Sequence, residues 1–196
     1  MFIELAEYLR CPRPHEESFL VLSTGAMKDR HVLYGTIGCP VCHSEFPVVD
    51  GIARFGQRPH WPEPAAALPE AGAVHALLAL GSPGGCVLLI GSAAGLAPAL
   101  GTALEGVHLV CLNPVERMEW DRARSVLHAA DYVPLRDAVV RGVVLGAEAL
   151  VAPWLPEAGR VLLRGQRMVA LADSLPVPPG LQMVAAGKGM WVGRKQ

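Results

Sequence analysis

Two textures follow one another along the chain. Through residues 18–49 short apolar runs alternate with polar turns. Residues 18–23 and 31–37 read as a hairpin around 24–30, and 46–49 leads into an Asp50-Gly51 turn. From residue 74 the apolar runs lengthen and become continuous. Residues 74–80 predict a short helix, 86–90 a buried strand, 93–104 a helix, 107–112 a second buried strand and 115–130 a third helical segment. Further strands are expected at 138–145, 160–163, 181–185 and 189–193, with one short helix at 147–152. Continuous apolar strands separated by helices are what a parallel sheet covered on both faces requires, so the second part reads as α/β.

Between the textures lies Gly56-Gln57-Arg58-Pro59-His60-Trp61-Pro62-Glu63-Pro64, followed by Pro69. Proline removes backbone donors and disfavours the α region before it, so the stretch reads as a linker or cap. The expected organisation is a β-rich module over residues 1–57, a proline-rich linker over 58–70 and an α/β domain over 71–196.

The 196 residues are 52% hydrophobic and 18% charged, which excludes a disordered chain. Seventeen Lys and Arg against eighteen Asp and Glu leave no footprint for a phosphate backbone, so nucleic-acid binding is expected only with a basic partner. A mean hydropathy of +0.33 fits either buried subunit interfaces or an Ala/Val/Leu/Gly-rich core. The acidic start Met1-Phe2-Ile3-Glu4 does not read as a secretory signal, and no apolar run approaches the roughly 20 residues of a membrane helix. A cytoplasmic protein with reduced cysteines is expected.

Cys39-Pro40-Val41-Cys42 is a Cys-x2-Cys knuckle, whose tight turn aims two thiolates at one ion. A structural site needs four ligands. Cys11-Pro12-Arg13-Pro14-His15 is the natural place for the other two, with Pro14 where a second cysteine would complete a knuckle and His15 one residue on. Cys11, His15, Cys39 and Cys42 are therefore the candidate zinc ligands, with His31 and His43 in reserve; the alternative is a metal-free relic. The run Gly38-Cys39-Pro40-Val41-Cys42, with Phe46-Pro47 and Asp50-Gly51-Ile52 after it, resembles the second half of the small zinc-ribbon family that activates tRNA and protein methyltransferases. Leu5 to Pro12 resembles its opening. The resemblance implies an interaction module, of a kind also found fused in front of methyltransferase domains.

In the second part, Cys86–Ile90 enters Gly91-Ser92-Ala93-Ala94-Gly95 and then a helix. Such a turn lets a nucleotide or cofactor approach helix N-terminal amides, although small residues also punctuate ordinary turns. The residues beyond this turn resemble, in order, the landmarks of class I S-adenosylmethionine (SAM) methyltransferases. These are a second strand ending near Cys111, an acid at Asp131, Pro134-Leu135-Arg136-Asp137, Leu155-Pro156-Glu157-Ala158-Gly159 before another strand, and a closing hairpin. The resemblance implies a reduced Rossmann-like sheet, mostly parallel, with a C-terminal antiparallel hairpin. It places cofactor contacts at Gly91, Ala93, Gly95, Cys111 and Asp131.

The departures from that pattern bear on activity. Leu89 stands where an acid is usual, Ala93 replaces the central glycine, Cys111 replaces the ribose-holding acid, and Val140-Arg141 replaces a Phe-Asp pair. A lost charged hydrogen bond costs about 1.5–3 kcal/mol, so two such losses weaken binding roughly a hundredfold or more. Glu148 and Asp137 are the acids left near the fourth strand, more in keeping with solvated than catalytic groups. Trp154, Met118 and Trp120 read as packing residues. The expectation is a degenerate, non-catalytic methyltransferase-like scaffold that works with a protein partner or a second copy. The alternative is an active SAM-dependent methyltransferase acting on a small molecule or RNA.

Overall fold

The computed structural model describes every residue except Glu63 and Ala65, which fall inside the expected linker; that part of the linker reading lies outside the described residues. The strands are β1 (Val21–Lys28), β2 (His31–Gly38), β3 (Glu45–Val49), β4 (Ile52–Arg54), β5 (Cys86–Ile90), β6 (His108–Leu112), β7 (Arg124–His128), β8 (Val140–Leu145), β9 (Leu162–Ala170), β10 (Leu181–Gly187) and β11 (Met190–Lys195). Three α-helices accompany them: α1 (Ala71–Leu78), α2 (Ala97–Ala103) and α3 (Trp154–Val161). All eleven strands form one sheet in the order β1-β2-β3-β4-β7-β6-β5-β8-β9-β11-β10.

The strands from β1 to β4 are an antiparallel meander. β7, β6, β5, β8 and β9 are mutually parallel, and β10–β11 close the far edge as an antiparallel hairpin. This is a mostly parallel, Rossmann-like sheet with a C-terminal antiparallel hairpin. The two parts meet by strand pairing: β4 runs parallel to β7, with Ile52 opposite Val126 and Arg54 opposite His128. β4 therefore lengthens the parallel sheet by one strand.

Every residue of β5 is buried, as are four of the five in β6, because both faces of the central sheet are covered. α1 and α2 cover one face through Val74, Leu78, Ala97 and Leu100. The other is covered by α3 and the amino-terminal module, through Trp154, Ala158, Leu5 and Leu9. No helix among the described residues is long and apolar enough to cross a membrane.

Several expected elements change, among them the short helix at 147–152, which is only a 3-10 turn over Ala147–Ala149. The hairpin turn is not 24–30 but the tight Asp29-Arg30, both at positive φ, so β1 runs on to Lys28. Residues 93–104 divide into a 3-10 turn over Gly91–Leu96 and α2, with Pro98 in the first turn of α2, where its missing N–H costs nothing. The expected helix at 115–130 is absent. Its second half is β7, drawn into the gap between β6 and β4, where both flanks offer ladder hydrogen bonds; tertiary pairing overrides the local pattern. The Leu-Pro-Glu-Ala-Gly run and Arg160 are not a turn and strand but α3, whose Pro156 also falls in the first turn.

The seam between the two parts buries histidines. His31, on β2, is fully buried and stacks on Trp120 at 4.8 Å. His108, on β6, stacks on Phe2 at 4.8 Å and meets Ser125 Oγ at 2.9 Å. Burial lowers both, His108 to about 4 with help from the nearby His31. In the unfolded chain they titrate near 6.5, so the unfolded state binds more protons between about 4 and 6.5. Their contribution is complete above pH 6.5 and is lost as pH falls toward 4. Urea midpoints should drop by the equivalent of about 2 kcal/mol between pH 7 and 5 from His108 alone, with His31 and His128 adding to the fall, and His108→Gln should make the profile shallower. A flat wild-type profile over that window would refute this.

Candidate functional site

The first site lies in the amino-terminal module. A 3-10 helix over Ile3–Tyr8 delivers Cys11, and the β2–β3 turn carries Cys39 and Cys42. That turn is tight: His43 sits at φ +57 and returns its N–H to the Cys39 carbonyl at 3.0 Å. The ligand atoms of Cys11, His15, Cys39 and Cys42 all lie within 4.8 Å of one another, so the structure brings together the four residues expected from the sequence. Cys11 Sγ and Cys42 Sγ are 3.7 Å apart and Cys39 Sγ is 3.3 Å from His15 Nε2. Tetrahedral zinc with bonds near 2.3 Å calls for sulfur–sulfur separations of about 3.8 Å.

His15 is also oriented as a ligand. Its Nδ1 meets the Glu16 carbonyl at 2.6 Å, and because a carbonyl only accepts, Nδ1 carries the proton and Nε2 keeps its lone pair toward the cluster. Burial pushes the Cys11 thiol up to about 12, whereas the Ser44 hydroxyl and amide draw Cys42 down to about 6. A dication would hold both as thiolates. The reserve candidates stay out: His31 belongs to the stacked seam, and His43 serves the turn through its backbone.

The second site is the crest formed by the carboxyl ends of the parallel strands, where open α/β sheets bind ligands. Gly91, at φ +65, turns the chain out of β5. Glu148, just beyond the end of β8, fills the space this creates. Its Oε1 accepts from the Ser92 amide at 2.5 Å and its Oε2 from the Ser92 hydroxyl at 2.9 Å. Glu148 is therefore not a solvated surface acid.

The glycines of the loop admit the protein's own side chains. A Cβ at Gly91 would meet Glu148 and, at 2.9 Å, the Trp61 ring; one at Gly95 would meet Leu68 at 2.7 Å. Trp61 packs edge-on against Trp154, with centroids 5.5 Å apart. Trp61 and Leu68 thus lie over the glycine loop. A cavity of about 350 Å³ persists beside it, bounded by Gly91, Ser92, Gly95, Leu68 and residues 114–119.

The remaining sequence candidates scatter. Ala93 and Cys111 are fully buried in the core beneath α1 and α2, alongside Leu89. Asp131 is exposed on the turn after β7. Arg141 lies at the amino end of β8, the opposite end from the crest, and donates to the carbonyls of Ser82, Pro83 and Gly84. Asp137 is held below its usual range by Arg160 and Arg10, against the opposing effect of burial.

Asn113 is a site residue that sequence reasoning misses. It stands at the tip of β6, at φ +49 and 1% exposed, and exchanges two hydrogen bonds with the Ala129 backbone, at 2.8 and 2.9 Å. The available signal is an asparagine, a residue tolerant of the left-handed region, directly after an apolar strand. A neutral amide held by the Ala129 backbone therefore occupies the tip, two residues beyond Cys111.

No known family and no curated protein matches the chain in sequence. Among solved structures, it is similar to a chain of the complex between the Haloferax volcanii Trm112 methyltransferase activator and a methyltransferase, at 22% identity over 51% of this chain and 50% of that one, with a TM-score of 0.41. It is similar to a SAM-dependent methyltransferase from Aquifex aeolicus at 15% identity over 64% of this chain and 88% of that one, with a TM-score of 0.42. The antibiotic-resistance methyltransferase Kmr shares 13% identity over 67% of this chain and 95% of its own, with a TM-score of 0.45. The chain spans half of the first of these.

Proposed function

We propose that this protein is a methyltransferase-like scaffold that no longer transfers methyl groups, joined to an amino-terminal ribbon that binds zinc through Cys11, His15, Cys39 and Cys42. On this reading residues 1–57 are the ribbon, 58–70 the linker and 71–196 the methyltransferase-like domain. The protein works by holding a protein partner or a second copy.

The observation that carries the reading is the Glu148 carboxylate on the Ser92 amide and hydroxyl. Those donors at the end of β5 are the ones a bound cofactor would use, and SAM brings a carboxylate of its own. Two carboxylates on one set of donors repel. The second strand offers no acid for ribose hydroxyls, since Cys111 is buried and the Asn113 amide is engaged by Ala129. The residues present do not fit SAM.

The alternative, an active SAM-dependent methyltransferase on a small molecule or RNA, is favoured by the cavity of about 350 Å³ beside Gly91. Calorimetric titration of SAM and S-adenosylhomocysteine decides between them. The scaffold reading expects no detectable heat at millimolar ligand. Binding in the micromolar range would overturn it and make a substrate screen the next step.

A further inference from the structure

The crest does not stop at the glycine loop. Beyond Trp61 it continues across the tips of β6, β7 and β4. A cavity of about 690 Å³ opens between the proline-rich segment and the chain leaving β6, with Arg58, His60 and Trp61 on one wall and Asn113 and Arg117 on the other. An adjoining cavity of about 560 Å³ shares Arg58 and Arg117 and reaches Arg54 and His128. Both fall within the roughly 300–1,000 Å³ range of small-molecule sites. Arg54 is present because β4 pairs with β7, so the ribbon supplies part of this crest.

Charge decides what such a space would hold. Among the described residues, no carboxylate lies within 4.0 Å of the guanidinium of Arg54, Arg58 or Arg117, whereas Arg10, Arg30, Arg122, Arg124, Arg136 and Arg160 all make ion pairs. Glu116 and Glu119 border the same space but are exposed and reach none of the three. Asp50, the third acid there, accepts from the Tyr34 hydroxyl. Arg58 gives one N–H to the Pro114 carbonyl at 2.7 Å, which orients the guanidinium; among the described residues the rest of its fork has no partner. Burial, with Arg58 and Arg54 adding to it, holds His128 at about 4, so the imidazole enters as a neutral hydrogen-bonding group. A planar guanidinium without an acidic partner, facing a cavity, matches the oxygens of a phosphate. At the other end of the crest Glu148 discourages an anion from the glycine loop.

We propose that this part of the crest binds a phosphorylated ligand of nucleotide size, Arg58 and Arg117 holding the phosphate and Trp61 supplying an aromatic wall. The site uses none of the glycine-loop donors, so it stands whether or not methyl transfer has been lost.

Inorganic pyrophosphate and ADP, titrated calorimetrically into the full chain at low and high salt, test the proposal. Both should bind, ADP more tightly, and both affinities should fall with salt. The double variant Arg58→Ala/Arg117→Ala should weaken each by about tenfold or more. Arg117→Ala alone, at an exposed side chain with no ion pair among the described residues, should weaken them in a chain whose folding is not at issue. No heat with either probe at millimolar concentration, or a double variant that binds like the wild type, overturns the proposal. The SAM titration reports on the glycine loop separately, so either reading can fail without the other.

Discussion

Cys39→Ser is expected to strip the protein of bound zinc and to lower its unfolding midpoint steeply. Cys39 is 3% exposed and its sulfur faces His15 Nε2 at 3.3 Å, so its loss opens the cluster from the buried side. Structural zinc supplies roughly 10–16 kcal/mol of apparent binding free energy in zinc-finger peptides at neutral pH. Even a quarter of that would remove a large part of a domain's usual margin of about 5–15 kcal/mol. The outer strand β1 is mostly exposed, so little buried surface at that edge offsets the loss. Metal content, measured beside the urea midpoint, checks the prediction: one zinc per wild-type chain, little in the variant. A wild-type protein purified without metal, and indifferent to added zinc, would sink the ribbon reading.

The second large effect is expected at Arg160. This guanidinium, 18% exposed, has every N–H donor group engaged. Nε and Nη2 donate to the Glu157 carboxylate, Nη1 to Asp137 and the Leu135 carbonyl, and Nη2 also to the Val133 carbonyl. It lies over the Tyr132 ring at 4.8 Å. The residues it holds, 132–137, are those that dock the amino-terminal module, through Arg10 N–H to the Pro134 carbonyl and Arg136 N–H to the Tyr8 carbonyl. Removing one partner from a part-buried ionic cluster, here with Asp137 57% exposed, costs about 1.5–3 kcal/mol, the range of hydrogen bonds to charged groups. Arg160→Ala should lose that much in urea unfolding. Arg160→Lys should recover little, since an ammonium cannot reproduce the planar fork. A loss within about 0.5 kcal/mol, the range of an ordinary surface substitution, would show the cluster to be ornamental.

The central strands and the metal cluster are legible in the sequence for different reasons. β5 matches because five consecutive apolar residues between glycines leave a buried strand as the simplest solution. The four Cys and His side chains come together because Cys-x2-Cys constrains geometry locally, and Cys11 with His15 offers a compact second half. β7 is not legible because its identity is set by neighbours: Arg124-Ser125-Val126-Leu127-His128 is an ordinary amphipathic stretch until β4 and β6 flank it. The crest is hidden in a related way. Glu148 reads as a surface acid, because nothing in one dimension shows that the end of β8 lies against the Ser92 amide. Cys111 falls two residues too early for the strand tip, where Asn113 stands. Trp61 sits in a stretch that reads as linker, yet it packs on Gly91 and Trp154.

The pairing of β4 with β7 joins positions about seventy residues apart in the chain, Ile52 with Val126. During synthesis the meander must therefore wait, with one flank of β4 lacking its ladder, until β5, α2 and β6 have been made and β7 emerges. Contacts of such long sequence separation are the slow ones in folding, because loop closure comes before any reward. Residues 21–54 would present an open edge throughout that interval. Early capture of a metal ion by Cys11, His15, Cys39 and Cys42 would give the waiting segment a fixed shape before its partner strand exists.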